Sequence, residues 1–266
     1  MNANTFFRHS GWQWVPPIIL LALAAIIWLS GSNQWLFIHL NQLGAKLPDA
    51  LWAFTTIWGD TLLISASLLP FTRRDPKLLL AILIAALLGG PLVHDLKVWF
   101  DQPRPPAVLA ADQFHLIGHP LKRFSFPSGH SFTAFTIAAI WIFHRSQATA
   151  TRLAWLLFAF AVALSRVMVG VHWPVDILVG SALGWLTGIA SVRVAHWFQW
   201  DQTLIGQRFL LLLFLLVAIN LWGEHNGYPR TWWLLDTVSV VTAVFTLAFL
   251  LDSWLSRKQS GSTADH

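Results

Sequence analysis

Between Arg8 and Lys46 the chain carries no charged residue, and most of the remaining sequence repeats that pattern of long apolar runs divided by short polar breaks. A run of about 20 apolar residues matches the hydrocarbon thickness of a bilayer, and a chain built from such runs must satisfy its backbone within helices. With 56% hydrophobic and 11% charged residues among 266, there is too little polar surface to cover a water-soluble domain of this length. Seventeen Trp and nineteen Phe fit aromatic belts at the two interfaces. The absence of Cys removes disulfides, thiolate metal sites and cysteine nucleophiles. The formal charge of +5 is spread thinly between apolar runs instead of gathering on one face, which argues against nucleic-acid binding.

The pattern predicts an all-α, polytopic membrane helix bundle of eight spans. The first runs from Trp14 to Ile38 with Gly31-Ser32-Asn33 at its exit, and reads as a retained helix, not a cleaved signal. The second covers Asp49 to Phe71, and the third Lys77 to Phe100. The fourth runs from Ser128 to about His144, the fifth from Ala150 to Met168, and the sixth from Pro174 to about His196. Leu204 to Trp222 and Trp232 to Leu251 complete the set. This divides the chain into a six-helix core at 1–200, two further helices at 201–256 and a polar tail at 257–266. With the N-terminus inside, the inner side holds Arg8, Arg73, Arg74, Lys77, Arg145, Arg152, Arg193, Arg208, Arg257 and Lys258. The outer side holds Lys46, Lys122, Arg123 and Arg230 beside the motif residues. The asymmetry predicts that both termini are cytoplasmic.

Three strings interrupt the apolar runs, and this topology brings all of them to the outer surface: Lys97-x6-Arg104-Pro105, Pro127-Ser128-Gly129-His130, and Ser165-Arg166-x5-His172-x3-Asp176. Each has an ordinary reading alone: cations that snorkel at a helix end, a helix cap, and an acid stabilised by a helix dipole. Together they bring three cations, two imidazoles, one carboxylate and the backbone N–H groups of a helix start to one place. Phosphate is the common anion that needs so many donors. Asp176 is in reach of one nitrogen of His172, an arrangement that fixes the tautomer and frees the other nitrogen as nucleophile or base. Metal ligation is the competing use of His and Asp, but Lys97, Arg104 and Arg166 would repel a divalent ion.

These strings resemble the three signature motifs of the type 2 phosphatidic acid phosphatase superfamily, integral membrane lipid phosphatases that share their motifs with bacterial acid phosphatases and vanadium haloperoxidases. The resemblance covers about residues 50 to 196. It implies a metal-free, cofactor-free, two-step hydrolysis. His172 resembles the nucleophile that forms a phosphohistidine, Asp176 its orienting partner, and His130 the acid that protonates the leaving oxygen. Lys97, Arg104, Ser128, Gly129 and Arg166 resemble the phosphate-binding set. Asp60, near the middle of the second span, and Asp95, close to Lys97, are candidates for a supporting role. The implied partners are membrane lipids and a substrate of the undecaprenyl diphosphate, phosphatidylglycerol phosphate, phosphatidic acid or lipid A class, cleaved on the periplasmic side. The lack of a large polar domain favours undecaprenyl diphosphate or a broad range. Transfer of the phosphoryl group to a second lipid, and a non-catalytic anionic-lipid binder or transporter, are the alternatives; the sequence does not define an oligomeric state.

Overall fold

The computed structural model describes residues 10–72, 75–145, 148–224 and 227–262; Arg8, Arg73 and Arg74 of the charge count lie outside them. Among the described residues there is no strand, and the helices are α1 Ser10–Leu29, α2 Asn33–Gly44, α3 Asp49–Thr56, α4 Thr61–Thr72, α5 Pro76–Phe100, the short α6 Pro105–Val108, α7 Gly129–His144, α8 Thr149–Met168, α9 Pro174–Trp197, α10 Leu204–Leu221 and α11 Trp232–Ser262. Six of them, α1, α5, α8, α9, α10 and α11, are long and apolar enough to cross a membrane. Their outward faces carry large bare side chains such as Leu87, Leu157 and Ile205, the surface that a bilayer would cover. Near the ends, Trp99 and Trp197 are 84% and 80% exposed, as interfacial anchors are.

Three of the expected spans differ from the sequence reading. The first ends at Leu29, where Gly31 takes a positive φ of 67°, and the chain restarts as α2. The second is broken: α3 passes into a 3₁₀ turn at Ile57–Gly59, and Asp60, extended at φ −70° and ψ 129°, starts α4 afresh. Its Oδ1 accepts from the N–H groups of Leu62 and Leu63, both at 2.9 Å, which is the work of an N-cap. The fourth, α7, has only 16 residues, about 24 Å by the helical rise. Twelve of the 16 are buried, so α7 is surrounded by protein and has no need to match the bilayer.

The central contact is α7 against α9, with α1 and α5 packed on α9 and α8 on α7. Its cause is legible in α9. Gly180, Gly184 and Gly188 recur every four residues on one face, and a Cβ at each would strike backbone of the facing helix: Ser128 O at 2.5 Å from Gly180, Thr136 O at 2.5 Å from Gly188, and Phe132 O beside Gly184. Without side chains the two backbones touch, as small-residue stripes allow in membrane helices. Thr136 Oγ1 donates to the Gly184 carbonyl at 3.0 Å across the contact. Gly184→Val should force the helices apart, lowering stability by about 3 kcal/mol; thermal unfolding in detergent measures the loss.

The α10–α11 hairpin packs against α4 and, through the turn at Pro229–Thr231, against α3. A separate apolar cluster holds it there, in which Leu221 and Leu235 meet Ala53, Ile57 and Leu63. Phe54 and Trp233 add a ring contact at 6.1 Å.

Candidate active site

The end of α5, the start of α7 and the turn between α8 and α9 meet at one end of the bundle, and the charged residues of the three motifs meet with them. Pro174 opens α9 and Trp173 is its N-cap residue. Asp176, in the first turn, is fully buried, and its Oδ2 gathers three groups: the Trp173 N–H at 2.9 Å, the Ser125 hydroxyl at 2.5 Å and His172 Nδ1 at 3.3 Å. A carboxylate accepts only, so Nδ1 carries the proton and donates it. Nε2 is then the nitrogen with the lone pair. Arg104 Nη1 lies 3.1 Å from it and also donates to the Val171 carbonyl at 3.2 Å.

His172 is 2% exposed. Burial first, and then the positive charges of Arg104, Arg166 and Lys97, hold its imidazole well below the ordinary value of 6.5. It is therefore neutral at pH 7, the state in which Nε2 can attack.

The cations are fixed by backbone carbonyls and hydroxyls. Lys97 Nζ donates to Phe124 O at 2.7 Å. Arg104, 8% exposed, donates from Nε to Arg123 O at 2.9 Å and from Nη2 to Phe124 O at 3.3 Å. The long loop before α7 is thereby drawn over the site, with Phe124 held at a φ of 57° and Ser125 delivered to Asp176. Trp173 Nε1 pins the same loop at Pro103 O, 2.9 Å away. Arg166, in the last turn of α8 and 3% exposed, donates from Nη1 to Thr56 Oγ1 at 2.6 Å and to Tyr228 Oη at 3.4 Å.

Ser128 is the N-cap of α7. Its backbone N–H donates to the Asp176 carbonyl at 3.1 Å, and its hydroxyl accepts from Ser131 Oγ at 2.9 Å and Ser131 N at 3.4 Å. Two acceptances leave the hydroxyl proton to donate. Gly129 and His130 come next, half-buried, and the His130 ring lies so close to Gly59 that a Cβ there would meet it at 2.6 Å. A cavity of about 330 Å³ starts at Asp60, Gly129 and His130 and runs down α7 past Thr133 to Ile137, walled by Ile82 and Ala85 of α5. One end is polar and the other apolar.

The structure thus gathers Lys97, Arg104, Ser128, Gly129, His130, Arg166, His172 and Asp176 at one place, with Asp60 on the wall of the adjoining cavity. Asp95 is left out. It is exposed on α5, and among the described residues no hydrogen bond or ion pair ties it to the cluster. Residues two apart on a helix point to opposite sides, so Asp95 and Lys97 cannot both face the site. Sequence reading missed Ser125, Thr56, Tyr228 and Asn41. Asn41 accepts from the His115 N–H at 2.6 Å and donates to the carbonyls of His115, Val167 and Met168, tying α2 to the loop before α7 and to the end of α8. Each is an uncharged polar side chain outside the motifs. Only Ser125 had a signal, its place two residues before Pro127.

Comparison with known proteins matches residues 77–200 to the PAP2 superfamily. The chain is 27% identical over 232 residues to phosphatidylglycerophosphatase B of Escherichia coli K12, covering 67% of this chain and 85% of that protein. It is 27% identical over 197 residues to an undecaprenyl-diphosphatase of Sulfolobus acidocaldarius, covering 69% and 91%. Among solved structures, Aquifex aeolicus LpxE superposes with a TM-score of 0.51 at 33% identity, covering 60% of this chain and 94% of that one.

Proposed function

The chain belongs to the PAP2 superfamily, and on that premise we infer that the cluster formed by α5, α7 and the α8–α9 turn releases the terminal phosphate of a membrane lipid through a phosphohistidine on His172. The protein is an integral membrane lipid phosphatase, a hydrolase of phosphoric monoesters or diphosphates. The observation that carries the proposed mechanism is the state of His172: Nδ1 donates to Asp176, and Nε2, neutral and bearing the lone pair, sits 3.1 Å from the Arg104 guanidinium. The guanidinium therefore meets the phosphoryl oxygens beside the atom that attacks.

Nε2 forms a bond to phosphorus as the bond from phosphorus to the lipid oxygen breaks, and His130 gives that oxygen a proton. Burial and the three cations hold His130 neutral until the negative charge of the bound phosphate offsets them and lets it take that proton. Water then attacks phosphorus and passes a proton to His130, the N–P bond breaks, and inorganic phosphate leaves with His172 neutral again. Phosphoryl transfer asks a protein mainly for positioning and charge neutralisation. Lys97, Arg104 and Arg166 supply the second, with the Ser128 hydroxyl and the backbone N–H of Gly129 at the start of α7. Asp60, whose Oδ1 caps α4, supports this arrangement by fixing the chain break that seats Gly59 against His130.

The cavity leading from His130 into apolar surroundings suits a lipid chain whose leaving oxygen lies at His130 and whose phosphorus lies toward His172. The proposed substrate is undecaprenyl diphosphate, alone or within a broad range of lipid phosphates. The compact outer loop and the likeness to a protein named undecaprenyl-diphosphatase support that choice. The proposed setting is the bacterial inner membrane, with the site facing the periplasm and both termini cytoplasmic. Lys77, Arg145, Arg152 and Arg193, at the opposite end of the bundle, support this orientation. The proposed division of the chain is a phosphatase core at 1–200 followed by the hairpin and a polar tail from 257.

Detergent-purified protein in excess chelator, offered undecaprenyl diphosphate, phosphatidylglycerol phosphate and phosphatidic acid, should release inorganic phosphate, fastest from the first. A strict requirement for added divalent metal would overturn the mechanism. Preference for another lipid would overturn only the choice of substrate.

A further inference from the structure

Tyr228, the chain's one tyrosine, belongs to the turn joining α10 to α11, outside the segment that matches the family. Its ring is buried in the hairpin's apolar cluster, which also takes in Val169 and Val171 of the turn that carries His172. Its hydroxyl reaches the motif. Arg166 Nη1 donates to Tyr228 Oη at 3.4 Å and to Thr56 Oγ1 at 2.6 Å.

Both acceptors are neutral. Among the described residues no carboxylate lies within ion-pair distance of Arg166, and its buried Nε has no hydrogen-bond partner. A buried guanidinium without a counter-ion is costly, and a donor left unpaired adds to the cost. The arrangement makes sense for a group whose orientation is set by two hydroxyls while its charge is kept for an anion. The ring itself lies against a close backbone approach: a Cβ on Gly118, whose φ is 87°, would meet Gly227 O and Tyr228 Cε1 at 3.0 Å each, a tight fit.

We propose that Tyr228 is a positioning residue for phosphate binding, its hydroxyl and that of Thr56 together aiming Arg166 at the phosphoryl group, so that the C-terminal hairpin forms one wall of the site. This rests on the reading of the cluster as a phosphatase site.

The test compares wild type, Tyr228→Phe, Gly118→Ala and Arg166→Lys, with the Tyr228→Phe/Arg166→Lys double variant, in detergent. It measures kcat/KM for the best lipid phosphate, the inhibition constant of inorganic phosphate, its direct binding by calorimetry, and thermal midpoint. Loss of one hydrogen bond to a charged group predicts about a tenfold fall in kcat/KM and a like weakening of phosphate in Tyr228→Phe, with only a small fall in the midpoint because Arg166 keeps its bond to Thr56. Gly118→Ala, which crowds the ring and strains the backbone at a φ of 87°, should weaken phosphate binding in the same direction at a lowered midpoint, and serves alone if Tyr228→Phe does not fold. The double variant should be no worse than Arg166→Lys. Unchanged phosphate binding in Tyr228→Phe, or losses that simply add in the double variant, would overturn the proposal. Should the wild type bind phosphate but hydrolyse no lipid phosphate, the functional reading fails while the binding comparison still decides the role of Tyr228. A wild type that binds no phosphate overturns both.

Discussion

His172→Ala is expected to lower phosphate release by at least about ten-thousand-fold, the scale on which removal of a covalent nucleophile disables an enzyme. Any acid-labile phosphoenzyme trapped from radiolabelled substrate should vanish with it. The loss should be chemical and not structural. His172 lies in a turn after α8, and its removal leaves the contacts of Asp176 with Ser125 and Trp173 in place. The thermal midpoint should therefore move little, and the variant should still retain lipid phosphate through Lys97, Arg104 and Arg166. Residual turnover close to wild type would remove His172 from the reaction and favour a protein that binds anionic lipids without cleaving them. Trapped phosphoenzyme that decays faster on adding a lipid alcohol than in water alone would instead identify transfer between lipids. On the wild-type side, the depressed ionisation of His172 sets the sign of the pH response. Since its imidazole is held neutral below the ordinary 6.5, the limb caused by its protonation falls on the acid side of that value, with Nε2 available above it.

Asp176→Asn is the second large effect, a fall in the rate of phosphoenzyme formation of about a thousand-fold. The reason is specific to the donors around Oδ2. A carboxylate accepts from the Trp173 N–H, the Ser125 hydroxyl and His172 Nδ1 together. An amide turned with its oxygen in the place of Oδ2 can keep all three contacts, but it loses the negative charge that stabilises an imidazolium and leaves its NH2 unpaired in the place of Oδ1, which has no partner. Turned the other way, its NH2 faces three donors and drives Nδ1 to give up its proton and take the amide's. In the second case the lone pair leaves Nε2, the atom facing Arg104. Substrate affinity should change far less than the rate, because the phosphate-binding cations keep their own contacts. Single-turnover phosphorylation in a quenched-flow apparatus separates the two. An Asn variant that phosphorylates at the wild-type rate would show that the tautomer of His172 is set by something else.

The charged part of the site was legible because ionisable groups are rare in this chain and their positions at the ends of apolar runs fix which of them can meet. The same logic failed for Asp60. Read as a carboxylate inside a span, it is the cap at which the span breaks, because an apolar run in sequence does not reveal whether its helix is continuous. Asp95 was read by nearness along the chain, whereas the helical period turns it away from Lys97. Ser125, Thr56, Asn41 and Tyr228 act through single hydrogen bonds across large sequence separations, and no spacing announces such contacts. The glycines at 180, 184 and 188 did carry a period, every fourth residue on one helix, and that signal was available without a structure.

The contact those glycines permit ties the proposed acid and the proposed nucleophile to a single rib. His130 starts one of the two touching helices, Asp176 starts the other, and His172 is fastened to Asp176, so the reach from attacking nitrogen to leaving oxygen is set by backbone against backbone. Bilayer thickness or choice of detergent can then alter how a lipid arrives along the more loosely filled cavity beside α5 and how long it stays. Neither has a lever on the stroke of the reaction itself. An enzyme built this way meets changes in its membrane as changes in apparent affinity, with the chemical step held constant.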